Sequence, residues 1–158
     1  MGKTYIDDGQ LAIELPDGFA VLTLEKLQAL YGMDYSEMWG ARDESRHIAI
    51  TVIWKDAAAL LAKLASEESL AKRVEKALSK SYRASGHRCG EYFAACIAGK
   101  DARGFRYSYE PEGIPQECEV VVFRNGGRCY TLYYYTRTEV AQANRPAYDA
   151  MLASLALS

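Results

Sequence analysis

Residues 117–136, ECEVVVFRNGGRCYTLYYYT, form two runs rich in Val, Phe, Thr and Tyr on either side of a glycine pair. These residue types suit a pleated, half-buried strand. Between the runs, Asn125-Gly126-Gly127 supplies the positive φ angles that a tight hairpin turn requires. The stretch therefore predicts an antiparallel hairpin and, with it, a sheet-based fold class.

The same hairpin constrains the cysteines. A turn centred on Asn125-Gly126 pairs residues whose numbers sum to 251, and one centred on Gly126-Gly127 pairs those that sum to 253. Cys118 and Cys129 sum to 247, so neither register places them at the Cα separation of about 5.5 Å that a disulfide prefers. None of the four cysteines belongs to a Cys-x-x-Cys pair, and we expect reduced thiols.

Strand and helix patterns extend outward from the hairpin in both directions. Strand-like runs cover residues 11–15, 37–42 and 47–54, and period-two runs cover 91–98 and 102–109, with a turn at 99–101. Helical patterns begin at the caps Thr23 and Ser66, and the second ends at Gly86. A third helix carries Pro146 in its first turn, and residues 57–65 are predicted to form one or two helical turns.

The order β-α-β-β-α-β-β-β-β-α, with tight turns between strands, predicts an α+β fold: an antiparallel sheet with helices packed on its faces. At 158 residues, 49% apolar and 25% charged, the chain suits one globular domain covering residues 1–158. The run 47–54 is nearly continuous in apolar and β-branched residues, which is typical of a central strand.

Charge and hydropathy exclude several function classes. A net charge of −2 argues against a general nucleic-acid binder. No window approaches the roughly 18 apolar residues of a membrane span, and the N-terminus lacks the apolar core of a secretory signal. We expect a cytoplasmic chain, although a signal or lipid-anchor segment removed from it would leave the same evidence.

One helix concentrates positive charge. Residues 63–88 hold seven Lys or Arg against three Asp or Glu, and Lys72, Arg73, Lys76 and Lys80 lie mainly off its apolar face. Such a run is either a solvated helix face or a surface for an acidic partner.

Tyrosines concentrate in the second strand of the hairpin. Alternation sends Tyr133 and Tyr135 to one face and Tyr130, Leu132 and Tyr134 to the other. One set is expected to pack under a helix. The other either contacts a partner, since tyrosine combines large area with a polar tip, or reflects only the high β propensity of tyrosine.

No pattern in the sequence indicates catalysis, a metal or a cofactor. His87 and Cys89 are the only imidazole and thiol close in sequence, but their spacing favours a loop cysteine that leads into a strand over a nucleophile. Two histidines and no clustered Cys/His spacing offer little to a transition metal. Asp7-Asp8 and Asp43-Glu44, next to turns, are interpreted as solvated caps without a functional role.

Four segments carry a resemblance to a known family. They are IELPDGF at 13–19, GFRYSY at 104–109, YTLYY at 130–134 and the terminal helical segment 148–155. Together they resemble the PsbP-like fold family, which includes the extrinsic photosystem II subunit PsbP, a Ran-binding nuclear import factor and bacterial DcrB-like proteins. The resemblance implies a non-enzymatic scaffold that binds or assembles other proteins; it transfers no site residue.

The leading hypothesis is therefore a non-catalytic adaptor or chaperone that binds a protein through Tyr133, Tyr135 and the basic helix. The alternative is a small-molecule or lipid carrier with its ligand between sheet and helices. An enzyme that uses Cys89 and His87 ranks third. An exposed aromatic patch larger than ~400 Å² would favour the first hypothesis, and a buried apolar cavity of ~300 Å³ or more the second. The partner and the oligomeric state are not specified by the sequence.

Overall fold

The computed structural model describes residues 2–31, 37–56, 66–126 and 128–158. The strands are β1 (Lys3–Ile6), β2 (Leu11–Glu14), β3 (Ala20–Val21), β4 (Met38–Asp43), β5 (Ile48–Asp56), β6 (Arg88–Ile97), β7 (Lys100–Tyr109), β8 (Gln116–Asn125), β9 (Arg128–Arg137) and β10 (Ala156–Leu157). The helices are α1 (Leu24–Tyr31), α2 (Glu67–Ser81) and α3 (Ala141–Ser154).

Seven strands form one antiparallel sheet in the order β3-β4-β5-β9-β8-β7-β6. The predicted hairpin is confirmed as β8 and β9. Asn125 pairs with Arg128, so the observed register is the one in which the numbers of paired residues sum to 253. Cys118 therefore faces Tyr135, and all four cysteines are free. The predicted α+β fold with an antiparallel sheet is confirmed, and β5 lies inside the sheet as expected of a central strand.

Alternation along the strands gives the large sheet two covered faces. On one face, α3 and a small sheet of β1, β2 and β10 cover the side chains that include Ile50, Leu132 and Tyr130. On the other, α2 packs over β7 and β8 through Leu70 and Ala71. The buried apolar residues of the central strands thus divide between two separate clusters, one on each face, as period-two geometry requires.

Local capping signals place the helix starts correctly. The hydroxyl of Thr23 accepts a hydrogen bond from the backbone N–H of Lys26 at 3.2 Å. Ser66 caps α2 in the same way, accepting from Ser69 N at 3.2 Å. After α2 a short 3-10 turn (Arg83–Ser85) leads to Gly86, whose φ of 74° lies in the left-handed region. The helical turns predicted for 57–65 lie outside the described residues.

The element order differs from the prediction at the chain ends. β1 and β10 were missed, and both pair with β2 in a separate three-stranded sheet. β3, at two residues, was also missed. All three strands are only two to four residues long, so local periodicity carries little signal for them.

Two boundaries were also wrong. The turn between β6 and β7 consists of Ala98 and Gly99, with φ angles of 49° and 81°, while Lys100 already belongs to β7. Pro146 lies inside α3, which begins at Ala141, instead of in its first turn. α3 starts earlier than its apolar stripe because a 3-10 turn (Thr138–Val140) leads directly into it.

The interpretation of the acidic pairs as solvated is wrong for one member of each. Asp7 is 7% exposed; it accepts a hydrogen bond from the Tyr130 hydroxyl at 2.8 Å and pairs with Arg128 at 3.1 Å. Asp43 is also buried, and hydrogen bonds from Ser45 lower the pKa of its carboxyl. Both carboxylates are thus buried and hydrogen-bonded at their turns instead of facing solvent.

Candidate functional site

The basic residues of α2 form an exposed surface. Lys72, Arg73, Lys76 and Lys80 are all exposed in the structure. Lys72 pairs with Glu68 at 3.2 Å, four residues earlier, whereas no ion pair of the other three was found within the described residues. Free positive charge at a helix surface can attract an acidic partner.

The orientation of α2 places part of this charge beside β9. Glu75 points toward β6, because its carboxylate contacts His87 Nε2 at 2.9 Å next to the start of that strand. Arg73 is rotated from Glu75 by about 200° around the helix, and Lys80 by about 140°. Both therefore lie on the side of α2 away from β6. That side is turned toward the β9 side of the sheet, since α2 sits over β7 and β8 and β9 is the next strand after β8.

Tyr133 and Tyr135 lie on the α2 face of β9 and are half-buried. Their rings are nearly parallel, with centroids 6.5 Å apart, and both pack against the apolar cluster beneath α2. Tyr130 and Tyr134 are buried on the opposite face, which confirms the predicted alternation. The tyrosine pair and α2 therefore lie on the same face of the large sheet. We call these six residues (Lys72, Arg73, Lys76, Lys80, Tyr133 and Tyr135) the basic-aromatic surface.

The opposite face of the large sheet carries a groove that the sequence did not predict. It has a volume of about 1040 Å³ and is bordered by the ends of β6, β7, β8 and β9 and the first half of α3. Among its lining residues are Arg106, Glu119, Tyr134, Thr136 and Arg145. The groove is large enough for a small molecule, but it is open to solvent and has charged residues in its lining, unlike the enclosed apolar cavity expected of a carrier.

A buried carboxylate organises this groove. The Glu119 side chain is 3% exposed, and its Oε1 accepts hydrogen bonds from Arg106 Nε at 3.1 Å and Arg145 Nη1 at 3.2 Å. Burial by itself lowers the pKa of Arg145, but the nearby negative groups, above all Glu119 and also Asp149, together outweigh burial and raise the pKa. The three side chains thereby tie β7 and β8 to α3 through charge-assisted hydrogen bonds.

One sequence signal could have revealed Glu119. It shares a strand face with Val121 and Phe123, both buried, and an acid at an inward position of an apolar strand needs a cationic partner. The partners themselves were not predictable, because Arg106 and Arg145 lie 13 and 26 residues away. Periodicity says nothing about contacts at that separation.

The side chains of His87 and Cys89 have different hydrogen-bond partners. His87 Nε2 contacts Glu75 and the ring packs near Tyr107 at 5.3 Å, whereas Cys89 Sγ bonds the Gly90 carbonyl oxygen at 3.5 Å. Burial raises the pKa of the Cys89 thiol above its ordinary value of 9.0, and the Glu75 carboxylate raises it further. A raised pKa reduces the thiolate available at neutral pH, which is the opposite of an activated nucleophile.

Within residues 2–31, 37–56, 66–126 and 128–158, no three His, Cys, Asp or Glu side chains cluster as metal ligands would. None of the helices in those ranges has both the length and the apolar character to cross a membrane.

No protein-family model and no curated protein matched the sequence. Solved structures did match. Cyanobacterial PsbP (CyanoP) from Synechocystis superposes with a TM-score of 0.71 at 14% identity, over 99% of this chain and 92% of that one.

Two further solved structures share the fold. The Ran-binding protein Mog1p of Saccharomyces cerevisiae has a TM-score of 0.60 at 8% identity, over 99% of this chain and 94% of that one. LpqN, involved in cell envelope biogenesis of Mycobacterium tuberculosis, has a TM-score of 0.57 at 15% identity, over 99% of this chain and 90% of that one. Identities this low establish the fold alone. The chain has the PsbP-like fold, with a seven-stranded antiparallel sheet covered on both faces.

Proposed function

We propose that this protein is a non-catalytic binding module, an adaptor or chaperone, that holds an acidic protein partner on the basic-aromatic surface. The observation that supports the proposal is that the exposed basic residues of α2 and the half-buried Tyr133–Tyr135 pair on β9 lie on the same face of the large sheet. Basic residues attract the partner and set its orientation. The tyrosines supply contact area with few rotatable bonds and a polar tip.

Two further findings support a binding role over a chemical one. The solved structures that share the fold include a protein described as Ran-binding. The raised pKa of Cys89 and its separation from His87 offer no activated nucleophile at this sequence motif. Neither finding identifies the partner, which we define here only by its acidic surface.

The test is a comparative affinity capture from the native host. The wild-type chain is compared with the triple variant Arg73→Glu, Lys76→Glu, Lys80→Glu. The matched control reverses Lys3, Lys26 and Lys100, which are equally exposed but lie elsewhere. We expect a partner that is retained by the wild type and the control, is lost with the triple variant, and elutes as salt rises.

Recovery of no specific partner by the wild type would refute the proposal. Equal recovery by wild type and triple variant would place the partner on another surface. Circular dichroism of both triple variants checks that the fold is intact, which we expect because all six substituted side chains are exposed.

The groove around Glu119 supports a second candidate function, a small-molecule carrier. Arg106 and Arg145 line the groove, and their side chains are 43% and 41% exposed, so an anionic small molecule could bind them. Native mass spectrometry of the protein purified from its host tests this candidate. A carrier should show a bound small molecule that is lost in Arg145→Ala, and a protein free of any ligand would count against it.

A further inference from the structure

Strand β6 is an edge strand without the usual protection. It is ten residues long and ends the large sheet, with β7 as its one neighbour there. In the described ranges, no backbone group outside β7 hydrogen-bonds to it. The opposite edge, β3, is only two residues long. Natural edge strands are blunted by Lys, Pro, charge or a covering element, but residues 92–97, YFAACI, contain no charge and no proline.

The hairpin that follows β6 determines which of its backbone groups face outward. Ala98 and Gly99 form a two-residue turn with positive φ angles, flanked by the pair Ile97–Lys100. Such a turn is closed by a hydrogen-bonded pair, and the bonded positions then alternate along the strand. Tyr92, Ala94 and Cys96 therefore direct their N–H and C=O groups toward the open edge. The β-bulge between Cys89 and Tyr92 ends this regular segment.

We propose that two copies of this chain pair through β6, antiparallel, about a two-fold axis at Ala94. In this register Ala94 faces its own copy, Tyr92 faces Cys96 of the second copy, and Phe93 faces Ala95 of the second copy. Each large ring thus meets a small side chain, twice by symmetry. An isologous contact of this kind closes on itself and forms a dimer.

Charge complementarity favours a second copy as the occupant of this edge. Glu91 lies on the sheet face where it bonds Arg106 at 2.7 Å, and Lys100 shares that face through its pairing with Ile97. In the proposed dimer Glu91, in the bulge next to the paired segment, lies toward Ile97 of the second copy, and Lys100 of that copy lies one strand beyond Ile97. The two-fold axis brings this acid and base near each other twice, and the directly paired residues 92–96 carry no charge that could be opposed to its own copy.

The dimer is independent of the proposed function. Arg73 and Lys80 lie on the side of α2 away from β6, so pairing at this edge leaves the basic-aromatic surface open. Ala94 is exposed and belongs to none of the residues assigned to that surface.

Charge placed at the two-fold axis tests the contact directly. Ala94→Lys and Ala94→Glu each oppose a charge to its own copy, whereas an equimolar mixture of the two variants opposes a cation to an anion. Sedimentation velocity, under reducing conditions and over a concentration series, should give twice the chain mass of 17.6 kDa for the wild type. Each variant alone should sediment at half the wild-type mass, and the mixture should regain it.

Ala77, an exposed position on α2, provides the control for both the charge test and the disulfide test. Ala77→Lys and Ala77→Glu should remain dimeric. In a Cys89→Ser, Cys96→Ser background, Ala94→Cys should form an intermolecular disulfide on mild oxidation, since directly paired strand residues have the Cα separation that a disulfide needs. Ala77→Cys should not. A wild-type monomer at all concentrations, or a dimer unchanged by both Ala94 charges, would overturn the proposal.

Discussion

At the scale of single residues, Gly104 shows how closely two strands and a ring pack. A Cβ at this position would meet the Val120 carbonyl oxygen and lie 2.6 Å from Phe93 Cζ. Phe93, the cross-strand partner of Gly104, covers the glycine. Gly104→Ala is therefore expected to lower the free energy of unfolding by about 1–3 kcal/mol through overpacking. Urea denaturation measures the change.

Gly2→Ala is the matched control for that substitution, because a Cβ there meets nothing within 4 Å. It should leave the urea midpoint unchanged. A Gly104→Ala protein as stable as the wild type would show that the Phe93 ring is not held against the strand.

The pKa of Cys89 leads to a second prediction at this scale. Because burial and Glu75 raise that pKa, alkylation by iodoacetamide at pH 7–8 should be slower than for a free cysteine, and the rate should rise only at higher pH. The measurement uses a Cys96→Ser background, since Cys118 and Cys129 are buried. Glu75→Gln should speed the reaction. Faster alkylation than free cysteine would reopen the enzyme hypothesis.

Asp7 and Asp43 show where residue-level prediction failed. Both stand beside turns, where an exposed cap is the common outcome, and both are instead buried. The Tyr130 hydroxyl that binds Asp7 lies 123 residues away. A local sequence pattern predicts the hydrogen bonds that a residue makes within its own turn. It does not predict which distant strand packs against that turn.

At the scale of elements, the N-cap of α2 contributes to stability independently of its packing. Ser66→Ala removes the acceptor of the Ser69 N–H and should cost about 1 kcal/mol. Ser81→Ala, an exposed change in the same helix, should change stability by only a few tenths of a kcal/mol. Thermal unfolding of both variants provides the comparison, and equal melting temperatures would contradict the capping role.

The Glu119 cluster links α3 to the sheet. Glu119→Gln removes the carboxylate shared by Arg106 and Arg145, and we expect a loss of roughly 1–3 kcal/mol. The loss should fall below that of a fully buried pair, because the two arginine side chains are 43% and 41% exposed and remain hydrated. Chemical denaturation measures it. Glu91→Gln, at an exposed carboxylate, should stay within about 0.5 kcal/mol of wild type.

Elements were predictable where their signals are local. The β8–β9 hairpin and the starts of α1 and α2 follow from turn residues, alternation and caps inside each segment. The small sheet was missed because β1 and β10, four and two residues long, become strands only by pairing with β2. The groove was missed for the same reason, since its walls come from four strands and a helix.

At the scale of the whole molecule, the two faces of the large sheet have different neighbours. One face is covered by α3 and the small sheet, which closes when β10 joins β2 at the chain terminus. The other carries α2, with the tyrosine pair beside it. The chain therefore presents a basic-aromatic surface, a charged groove and an open strand edge in three separate places.

The central claim is that the basic-aromatic surface binds the partner. Hydrogen exchange of the protein with and without its captured partner tests this claim most directly, because it locates protection along the backbone. We predict slower exchange in α2 and β9, with the groove segment at the start of α3 unchanged. Unchanged exchange in α2 and β9, with protection confined to the groove or to β6, would contradict the claim.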